Sequence, residues 1–499
     1  MDIIRIRKKN HAFLHVDCEP SVANELCDFF TFYVPGYKFM PAYKNKMWDG
    51  KIRLFDTRTK ELYAGLYAYV EEFANAEGRD YRIELEHDDY YGLPKTDTVI
   101  DMSFMKDLVL TAAGKPIEAR DYQLQAIEHG LTKKSAMLIS PTASGKSLII
   151  YSLLRYVLEE QDKRALIIVP TTSLVEQMYA DFADYSTQDD GFNIETCHRI
   201  YAGRPKFADK ERVIITTWQS IYKMPGTWFE QFGAVFGDEA HNFKAKSLTS
   251  ILSKCRDAEF RFGTTGTLDG TQTHKLVLEG LFGPAYYVTT TKKLMDEGSL
   301  SDLDISVLLL KYDEQLRRQF GKQTYQQEID FIVTHQKRNQ LITNLALDQD
   351  GNTLVLFQYV EKHGKPLYNM IKDKAHSRRH IFYVSGETGV DTREEIRRIT
   401  ETQKNAIIVA SLGTFSTGVN IRNLHNVIFA SPSKSQIKIL QSIGRGLRKS
   451  DDGRMTKLYD VADDLHWKSR KNYTLNHAAE RIKIYTKEKF KYKIYEIDI

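Results

Sequence analysis

Cysteine is scarce in this chain of 499 residues, and long apolar runs are missing. The four cysteines lie too far apart for the close spacing of a zinc site, which favours a reduced intracellular protein without a structural metal. No stretch of about 18 apolar residues occurs, and the basic start leads into no sustained apolar run. We therefore expect a cytoplasmic chain that is neither exported nor membrane-spanning. The cysteines are Cys18, Cys27, Cys197 and Cys255.

A large excess of one charge is also missing, because 70 lysines and arginines stand against 66 aspartates and glutamates, a net charge of +4. This balance neither requires nor excludes a polyanionic partner. Apolar residues make up 42% of the chain and charged residues 27%, which is typical of a soluble globular protein. At roughly 150 residues per domain, the length predicts about three domains.

Two sets of short apolar segments rich in Val and Ile alternate with longer helix-like segments, which is typical of parallel sheets with crossover helices. The first set begins at Ala136 and comprises AMLIS, ALIIVP, RVIITT, GAVFGDEAH and FRFGTTGT. The second begins at Thr353 and comprises TLVLFQYV, HIFYVSG, AIIVASL, NVIFASP and TKLYDVADD. The sequence therefore predicts two α/β domains in tandem. They share the alternation of strands and helices but contain no repeated sequence motif.

The segments around these sets suggest the domain boundaries. A polar stretch from about Thr289 to Ser306 suits a linker. Before the first set, FLHVDC and KIRLFD flank the helix-like stretch PSVANELCDFFTFY and predict a small separate α/β domain. After Asp464 a Lys- and Tyr-rich tail predicts a helical extension packed on the second α/β domain. We expect domains at residues 1–100, 101–300, 301–465 and 466–499.

The strongest motif is a phosphate loop between a strand and a helix, since AMLIS runs into PTASGKS and then into SLIIYSLLRYVLEE. In that context backbone N–H groups face the anion, Lys146 contacts the β and γ phosphates, and Ser147 reaches Mg²⁺. Ser140 replaces the first Gly of the general pattern, and the alternative is a turn with an isolated Gly-Lys-Ser. We predict that ATP is bound by Thr142, Ala143, Ser144, Gly145, Lys146 and Ser147.

A pair of acidic residues follows the apolar segment GAVFG. Asp238 and Glu239 begin a DEAH sequence that ends at His241. We expect this sequence at the carboxyl end of a strand beside the phosphate strand. There Asp238, together with Ser147, can hold Mg²⁺, while Glu239 orients and deprotonates the attacking water. The alternative is a solvated surface pair.

An arginine motif lies in the second half of the chain. Gln441, Arg445 and Arg448 belong to QSIGRGLR, which follows a helix-like stretch. If the two α/β domains face each other, Arg445 and Arg448 can reach the γ-phosphate and stabilise its transition-state charge, with Gln441 in the same catalytic motif. Hydrolysis would then be coupled to domain closure. Two arginines on an exposed helix are the alternative.

Together these motifs resemble the superfamily 2 helicases and translocases from about Arg120 to Asp464, which implies two RecA-like motor domains with ATP between them. ARDYQ resembles the family's adenine-contacting motif, and PTTSLVEQ and TTWQS resemble its strand-tracking motifs. TGT resembles the motif that links hydrolysis to movement, and STGVN resembles the motif that contacts both ATP and the nucleic-acid backbone. The resemblance implies Arg120, Tyr122, Gln123, Gly418 and Asn420 for ATP; Pro170, Thr171, Thr217, Trp218, Gln219, Ser416 and Thr417 for DNA; and Thr265, Gly266 and Thr267 for coupling.

Two positions depart from the family pattern. Many relatives have Ser-Ala-Thr or Thr-Ala-Thr where this chain has Thr265-Gly266-Thr267, and many have Asp where Asn420 stands. The identity of the nucleotide-sensing contact near Asn420 therefore stays open.

More narrowly, CEPSVANELCDFF and the segment WDGKIRLFD resemble the leading domain of the phage UvsW helicases. The resemblance to these helicases extends to the segments LIIVPTTSL, TWQS, FSTG and IGRGLR. The likeness implies a DNA enzyme that unwinds and branch-migrates forks, R-loops and Holliday-type junctions in recombination, repair and replication restart. It would act inside the host bacterial cell if the chain is phage-encoded. The identity of His241 does not separate DNA from RNA substrates.

The candidate DNA contacts mostly suit phosphates, so we expect binding that is independent of base sequence. Trp218 either stacks on a base or fills the core beneath its strand. In the N-terminal segment, YKFMPAYKNKMWDGKIR interleaves basic and aromatic residues, which suits phosphate attraction plus stacking by Trp48, Lys51 and Arg53. An ordinary hairpin with a solvated basic face is the alternative, and the same choice stays open for the Lys-rich tail.

The sequence thus predicts an ATP-dependent DNA helicase with ATP and Mg²⁺ as cofactors and branched or forked DNA as its partner. The nearest alternative is a motor of the same class that acts on RNA or translocates on duplex DNA without strand separation. A binding module that uses ATP as a clamp is a further alternative, against which the set of Lys146, Glu239 and Arg445 argues.

Overall fold

The chain divides into two compact units. A computed structural model describes residues 2–86, 99–205, 210–244, 246–268, 271–320, 323–375, 379–418, 423–433, 435, 443–444 and 453–499. The first unit comprises Met1–Ser140 with Gly145–Val288, and the second comprises Pro141–Ser144 with Thr289–Ile499. Across the described ranges, no helix is both long and apolar enough to span a membrane.

The first unit begins with a small mixed sheet. The strands of this N-terminal domain are β1 (Asp2–Lys8), β2 (Phe13–Asp17), β3 (Thr31–Tyr33), β4 (Lys51–Arg53), β5 (Phe55–Asp56), β6 (Glu61–Tyr63) and β7 (Tyr81–Leu85), and its helices are α1 (Pro20–Phe29), α2 (Pro41–Lys44) and α3 (Tyr67–Ala74). Five strands lie in the order β5-β6-β2-β1-β7, while β3 and β4 pair separately. In β1, Ile4 and Ile6 are buried and Arg5 points outward, as the twofold alternation of a strand requires.

The core of this N-terminal domain is continuous with the core of the domain that follows. One cluster of buried apolar side chains runs from Ile4 and Phe73 in the N-terminal domain to Phe243 and Phe282 in the domain that follows. The prediction of a small N-terminal α/β domain is therefore confirmed as to its fold. Its expected bounds, residues 1–100, stay a prediction, and its hydrophobic face is buried against the next domain of the same compact unit.

The rest of the first unit is built on a seven-stranded sheet. Its strands are β10 (Ser135–Ile139), β11 (Arg164–Val169), β12 (Cys197–Ile200), β13 (Val213–Thr217), β14 (Phe232–Gly237), β15 (Phe260–Thr265) and β16 (Ala285–Tyr287), preceded by the short pair β8 (Thr111–Ala112) and β9 (Lys115–Pro116). Every pairing in the order β12-β13-β11-β14-β15-β10-β16 is parallel. All six residues of β14 are buried, which explains its unbroken apolar sequence.

Helices connect these strands and cover the sheet. They are α4 (Phe104–Asp107), α5 (Asp121–Lys133), α6 (Lys146–Glu160), α7 (Thr172–Tyr185), α8 (Trp218–Ile221), α9 (Gly226–Phe229), α10 (Lys246–Lys254) and α11 (Gln272–Phe282). Helix α11 packs against the short helical turn Ala64–Leu66 of the N-terminal domain as well as against β10 and β15. It is thus an element shared by the two domains of this unit.

The second unit contains another seven-stranded parallel sheet. Its strands are β17 (Leu303–Lys311), β18 (Thr353–Phe357), β19 (Ile381–Val384), β20 (Ile407–Ser411), β21 (Asn426–Phe429), β22 (Thr456–Asp464) and β23 (Tyr492–Asp498). Its helices are α12 (Thr291–Asp296), α13 (Glu314–Phe320), α14 (Tyr325–Thr334), α15 (Gln336–Asp348), α16 (Lys365–Lys374), α17 (Val390–Thr402), α18 (Leu412–Gly418) and α19 (Tyr473–Lys487). The strand order is β19-β20-β18-β21-β22-β17-β23.

The two large sheets have the same topology. When each set of seven strands is numbered in chain order, both sheets run third, fourth, second, fifth, sixth, first and seventh. The predicted tandem of RecA-like parallel-sheet domains is therefore confirmed. The two domains repeat the same strand order without repeating a sequence motif.

Two segments differ from their predicted structure. The stretch from Thr289 to Ser306, expected to be a linker, contains α12 and the first residues of β17. The predicted C-terminal helix is present as α19, but the chain continues into β23, which pairs in parallel with β17. Most side chains of β23 are exposed, so this edge strand depends on backbone pairing and carries little apolar periodicity.

A buried ion pair ties β22 to the helical layer of the second unit. Arg338 of α15 donates from Nε to Asp463 at 2.7 Å and from a terminal nitrogen at 3.0 Å, and both side chains are fully buried. The hydroxyl of Tyr312 donates to the same carboxylate at 2.8 Å. The carboxylate charge is therefore neutralised and hydrogen-bonded within the interior.

Candidate nucleotide site and nucleic-acid contacts

The predicted phosphate loop connects the end of β10 to the start of α6. The backbone N–H of Ser140 donates to the Thr265 carbonyl at 2.8 Å, which continues the pairing of β10 with β15 into the loop. The Ser144 hydroxyl donates to the Pro141 carbonyl at 2.7 Å. Gly145 has a φ of +81°, in the left-handed region that favours glycine. The buried Ser140 thus occupies the position where the general pattern has its first glycine.

Two polar side chains stand in the first turn of α6. Lys146 donates from Nζ to the Ser140 carbonyl at 3.3 Å, which holds the ammonium over the loop. The Ser147 hydroxyl lies 2.8 Å from the hydroxyl of Tyr185, a partner that the sequence analysis did not identify. Because free backbone N–H groups and the helix dipole favour anions at a helix start, this turn can receive phosphate oxygens.

The predicted adenine-contacting residues cap helix α5. The Arg120 N–H donates to Oε1 of Gln123 at 2.9 Å, and the Arg120 guanidinium donates to the Tyr122 hydroxyl at 3.0 Å. Tyr122 and Gln123 are buried, whereas Arg120 is exposed. A β-carbon on Gly145 would lie 2.3 Å from Nε2 of Gln123, so this amide lies against the phosphate loop. Contact with adenine stays a prediction.

Asp238 directly follows the carboxyl end of β14. Its carboxylate accepts a hydrogen bond from the Thr264 hydroxyl at 2.7 Å. Burial and the neighbouring Glu239 carboxylate raise the pKa of Asp238, whereas the Lys146 ammonium opposes that rise. The expectation that its strand lies beside the phosphate strand was wrong, because β15 is inserted between β14 and β10. Thr264 belongs to β15, so this intervening strand supplies the hydrogen bond to Asp238.

The acidic motif contacts the predicted coupling motif. Glu239 has a φ of +48°, a left-handed conformation that is uncommon for a residue with a side chain. His241 Nδ1 lies 3.3 Å from a Glu239 carboxylate oxygen and 3.0 Å from the Thr265 hydroxyl oxygen. The Thr265 hydroxyl in turn donates to the Thr267 carbonyl at 3.1 Å. The structure therefore joins Thr265–Thr267 to the acidic motif, while the coupling role stays a prediction.

The acidic motif is also in contact with His274 of α11. Its Nε2 lies 2.9 Å from the His241 carbonyl oxygen, and the residue is 3% exposed. His274 could not be identified from the sequence, since an isolated histidine bonded to a backbone carbonyl has no sequence pattern.

The predicted strand-tracking residues lie at the carboxyl ends of β11 and β13, which are neighbours in the sheet. Thr171 caps α7 by accepting from the Leu174 N–H at 3.3 Å, and the Thr217 hydroxyl lies 2.9 Å from that of Ser220. Trp218 is half-buried and packs against the hydrophobic core, as the core-filling alternative requires. The two remaining residues of this group are the half-buried Pro170 and the exposed Gln219.

Of the N-terminal candidates, Trp48 lies in the segment between β3 and β4, residues 34–50, here named the β3–β4 loop, and Lys51 and Arg53 lie in β4. The Trp48 ring N–H donates to the Lys51 carbonyl at 2.8 Å, and Arg53 pairs with Asp49 at 2.6 Å. The Lys51 ammonium lies over the Tyr33 ring at 5.2 Å. These three candidates therefore have partners within the hairpin.

At the surface of the β3–β4 loop, large apolar side chains are open to solvent. Phe39 is 80% exposed and Met47 is 77% exposed. The rings of Tyr33 and Tyr37 stack at 4.6 Å, and Tyr43 meets Tyr37 edge-on at 4.8 Å. The tyrosines pack on one another, while Phe39 and Met47 present apolar surface to solvent.

The predicted second-domain residues are only partly covered by the described ranges. Ser416, Thr417 and Gly418 lie in α18. The residues outside the described ranges are Asn420, Gln441, Arg445 and Arg448.

Three family models match consecutive parts of the chain. Residues 3–86 match the model "DNA helicase UvsW, N-terminal", residues 116–270 match "Type III restriction enzyme, res subunit", and residues 336–450 match "Helicase conserved C-terminal domain". The N-terminal match covers the small mixed sheet, and the other two cover most of the two large sheets.

Similar proteins and structures support the same grouping. The "ATP-dependent DNA helicase uvsW" of Enterobacteria phage T4 is 36% identical over 507 residues, covering 98% of this chain and 99% of that protein. The "DNA 3'-5' translocase XPB2" of Sulfurisphaera tokodaii is 23% identical, covering 67% of this chain and 80% of that protein. The crystal structure of T4 UvsW matches with a TM-score of 0.52 and 33% identity over all of both chains.

A more distant structure shares the fold alone. A fragment of an HsdR subunit of a type I restriction enzyme from Vibrio vulnificus matches with a TM-score of 0.59 at 16% identity, over 80% of this chain and 72% of that one. The full-length similarity at 36% identity, together with the N-terminal model, decides the family. The chain belongs to the UvsW family of superfamily 2 DNA helicases.

Proposed function

We propose that this chain hydrolyses ATP and uses the energy to unwind and branch-migrate DNA at forks, R-loops and Holliday-type junctions. The observation that carries the proposal is that the similarity to the T4 helicase extends beyond the two motor domains into the N-terminal domain. Motor domains grip the backbone of a strand without regard to sequence, so recognition of a branch has to come from an added surface. The N-terminal domain is the candidate for that surface.

The nucleotide chemistry is assigned to residues at one edge of the first large sheet. Lys146 neutralises phosphate charge, and Glu239 orients and deprotonates the attacking water. Gln441, Arg445 and Arg448 are proposed to complete the site from the second motor domain.

The donor set suits magnesium. Asp238 offers one buried carboxylate and Ser147 one hydroxyl, and across the described residues no cluster of three or more His, Cys, Asp or Glu side chains could hold a metal by itself. Mg²⁺ in nucleotide sites keeps several waters and takes few protein ligands beside the phosphates, so two donors are sufficient. When bound with ATP, the ion would neutralise charge that develops on the phosphates.

DNA contacts are proposed for two surfaces of the first unit. Thr171 after β11, the buried Thr217 at the end of β13 and Gln219 of α8 are the proposed contacts with the strand that is tracked. The β3–β4 loop offers the exposed Phe39 and Met47 beside several lysines, a combination that allows stacking on an unpaired base together with phosphate attraction. Residues Ser416 and Thr417 are the proposed contacts in the second motor domain.

A duplex translocase that does not separate strands is the second candidate. The similar protein of Sulfurisphaera tokodaii is named a translocase, and the restriction-enzyme fragment shares the fold of the motor domains. Motor domains of this superfamily move along nucleic acid in either kind of enzyme. The two functions differ in whether ATP turnover separates the strands.

Strand separation on four substrates tests the proposal. ATP-dependent unwinding is measured side by side on linear duplex, forked DNA, a four-way junction and an RNA–DNA hybrid, for the wild type and for Lys146→Ala. We expect the branched substrates to be unwound fastest, and Lys146→Ala to lose turnover while it still binds DNA. Equal rates on linear and branched DNA would contradict the proposal. Displacement of a triplex-forming strand without unwinding would favour the translocase.

A control variant separates the loss of charge in the phosphate loop from a general loss of basic charge. Lys163 pairs with Asp257 at 2.8 Å on the surface of the same unit. Lys163→Ala is therefore expected to retain both turnover and unwinding. Normal ATP turnover in Lys146→Ala would remove the phosphate-loop assignment.

A further inference from the structure

Helix α11 contacts the N-terminal domain and the acidic motif through consecutive residues. The Thr273 hydroxyl donates to the Tyr33 carbonyl of β3 over 3.4 Å. The next residue, His274, has Nε2 at 2.9 Å from the His241 carbonyl. A single peptide unit of α11 therefore separates a contact with the candidate DNA-binding domain from a contact with the candidate hydrolytic site.

The other end of α11 is also fixed to the N-terminal domain. The Tyr69 hydroxyl donates to a Glu279 carboxylate oxygen at 2.5 Å. A β-carbon on Gly65 would lie 1.9 Å from the Glu279 carbonyl oxygen, and one on Gly280 would lie 2.9 Å from the Tyr63 β-carbon. Backbone atoms of the two domains thus lie close together, and buried apolar side chains of both domains form one continuous core. A displacement of the N-terminal domain must carry α11 with it, because close-packed interiors transmit strain.

Tyr33 connects this contact to the β3–β4 loop. Its ring stacks on Tyr37 at 4.6 Å, and the Lys51 ammonium lies over it at 5.2 Å. A nucleic acid that binds the loop through its phosphates or bases would press on this stack. The stack lies on the strand whose carbonyl accepts from Thr273.

We propose that α11 couples DNA engagement by the β3–β4 loop to ATP hydrolysis, and that His274 is the positioning residue that holds the acidic motif. The inference rests on the proposed function, since it requires DNA to bind the N-terminal domain. The imidazole donates from Nε2 to the His241 carbonyl, which fixes the main chain two residues after Glu239. Glu239 has a left-handed φ of +48°, a conformation that persists only where its surroundings enforce it.

ATP turnover with and without forked DNA tests the positioning role. His274→Leu removes the donor, whereas His274→Gln places an amide N–H near the position of Nε2. We expect His274→Leu to lower the fork-stimulated kcat about five- to tenfold, in the range of coupling between sites. The KM for ATP should stay within about twofold of wild type, and basal turnover should fall by a smaller factor than the fork-stimulated kcat. His274→Gln should recover most of the stimulation.

A control on the same helix is Lys275, which pairs with Glu279 at 3.8 Å. Lys275→Ala should leave the stimulation unchanged. A purely structural role of His274 predicts that basal and stimulated turnover fall together, and that result would overturn the proposal. Full stimulation in His274→Leu would also overturn it.

The connection to the loop is tested with Tyr33→Ala and Thr273→Val, neither of which removes a buried side chain. At saturating forked DNA each variant should reduce the stimulation, and Tyr33→Ala combined with His274→Leu should lose no more than His274→Leu alone. Additive losses would overturn the coupling. If His274→Leu does not fold, unchanged stimulation in both Tyr33→Ala and Thr273→Val overturns the coupling as well. Absence of any fork stimulation in the wild type would instead contradict the proposed function.

Discussion

The side-chain amide of Gln123 fills the space into which a side chain at Gly145 would extend. The distance from a β-carbon on Gly145 to Nε2 of Gln123 would be 2.3 Å. Gln123 cannot easily yield, because it is 4% exposed and its Oε1 accepts from the Arg120 N–H at 2.9 Å. The conformation of the phosphate loop therefore depends on a residue 22 positions earlier in the chain.

Gly145→Ala is predicted to weaken ATP binding by at least about tenfold. The alanine would have to adopt a φ of +81° and displace Gln123, so the loop would lose the geometry that presents its N–H groups. The measurement is the KM for ATP. Gly226→Ala is the matched control, since a β-carbon there meets no atom within 4 Å. An unchanged KM in Gly145→Ala would show that the loop does not need this conformation.

Glu239→Gln is predicted to lower kcat for ATP hydrolysis by about 10²- to 10⁴-fold, the range attributed to a positioned general base. The KM for ATP should change little, because the amide keeps the shape of the side chain. Single-turnover hydrolysis together with nucleotide binding separates the two effects. Glu230→Gln, at an exposed position of the same unit, should behave as wild type. A change of less than tenfold in kcat for Glu239→Gln would remove Glu239 from the role of base.

Arg445→Ala is predicted to slow hydrolysis far more than it weakens ATP binding. An arginine that neutralises transition-state charge contributes about 10³-fold or more to kcat. Binding of a non-hydrolysable ATP analogue and steady-state turnover should be measured on the same preparation. Equal losses in affinity and in kcat would assign Arg445 to ground-state binding.

Arg338→Met is predicted to destabilise the second unit by about 3–5 kcal/mol, because it leaves the Asp463 carboxylate buried without its ion partner. The triple variant Arg338→Met, Asp463→Leu and Tyr312→Phe should be much less destabilised, since it removes the buried polar groups together. Denaturant midpoints compare the two. Lys365→Ala, which breaks an exposed pair with Glu361, should have little effect. Equal destabilisation in the single and triple variants would contradict the argument.

The strands that are buried on both faces were the most predictable part of the fold. The segment FGAVFG has all six residues buried, so its sequence is an unbroken apolar run. The phosphate loop was predictable for a related reason: the left-handed φ of Gly145 requires glycine, and Lys146 begins a helix directly after it. In both places the requirement lies within a few consecutive residues.

Features that depend on distant partners were not predictable from local pattern. The insertion of β15 between β14 and β10 is a matter of strand order, which local periodicity does not encode. Strand β23 is stabilised by pairing with β17, and its exposed side chains do not alternate in a way that marks a strand. His274 bonds to a backbone carbonyl, a partner that any residue type can offer.

The position of β17 in its sheet also has a consequence for how the chain is made. Leu303 pairs with Thr456 and Ile305 pairs with Tyr492, so both neighbours of β17 are synthesised long after it. During synthesis the backbone groups on both edges of β17 stay unpaired until most of its domain has been made. Unpaired strand edges can associate with other chains. We expect refolding of the second unit to be slow, since parallel pairing across such sequence distances has a large loop-closure cost.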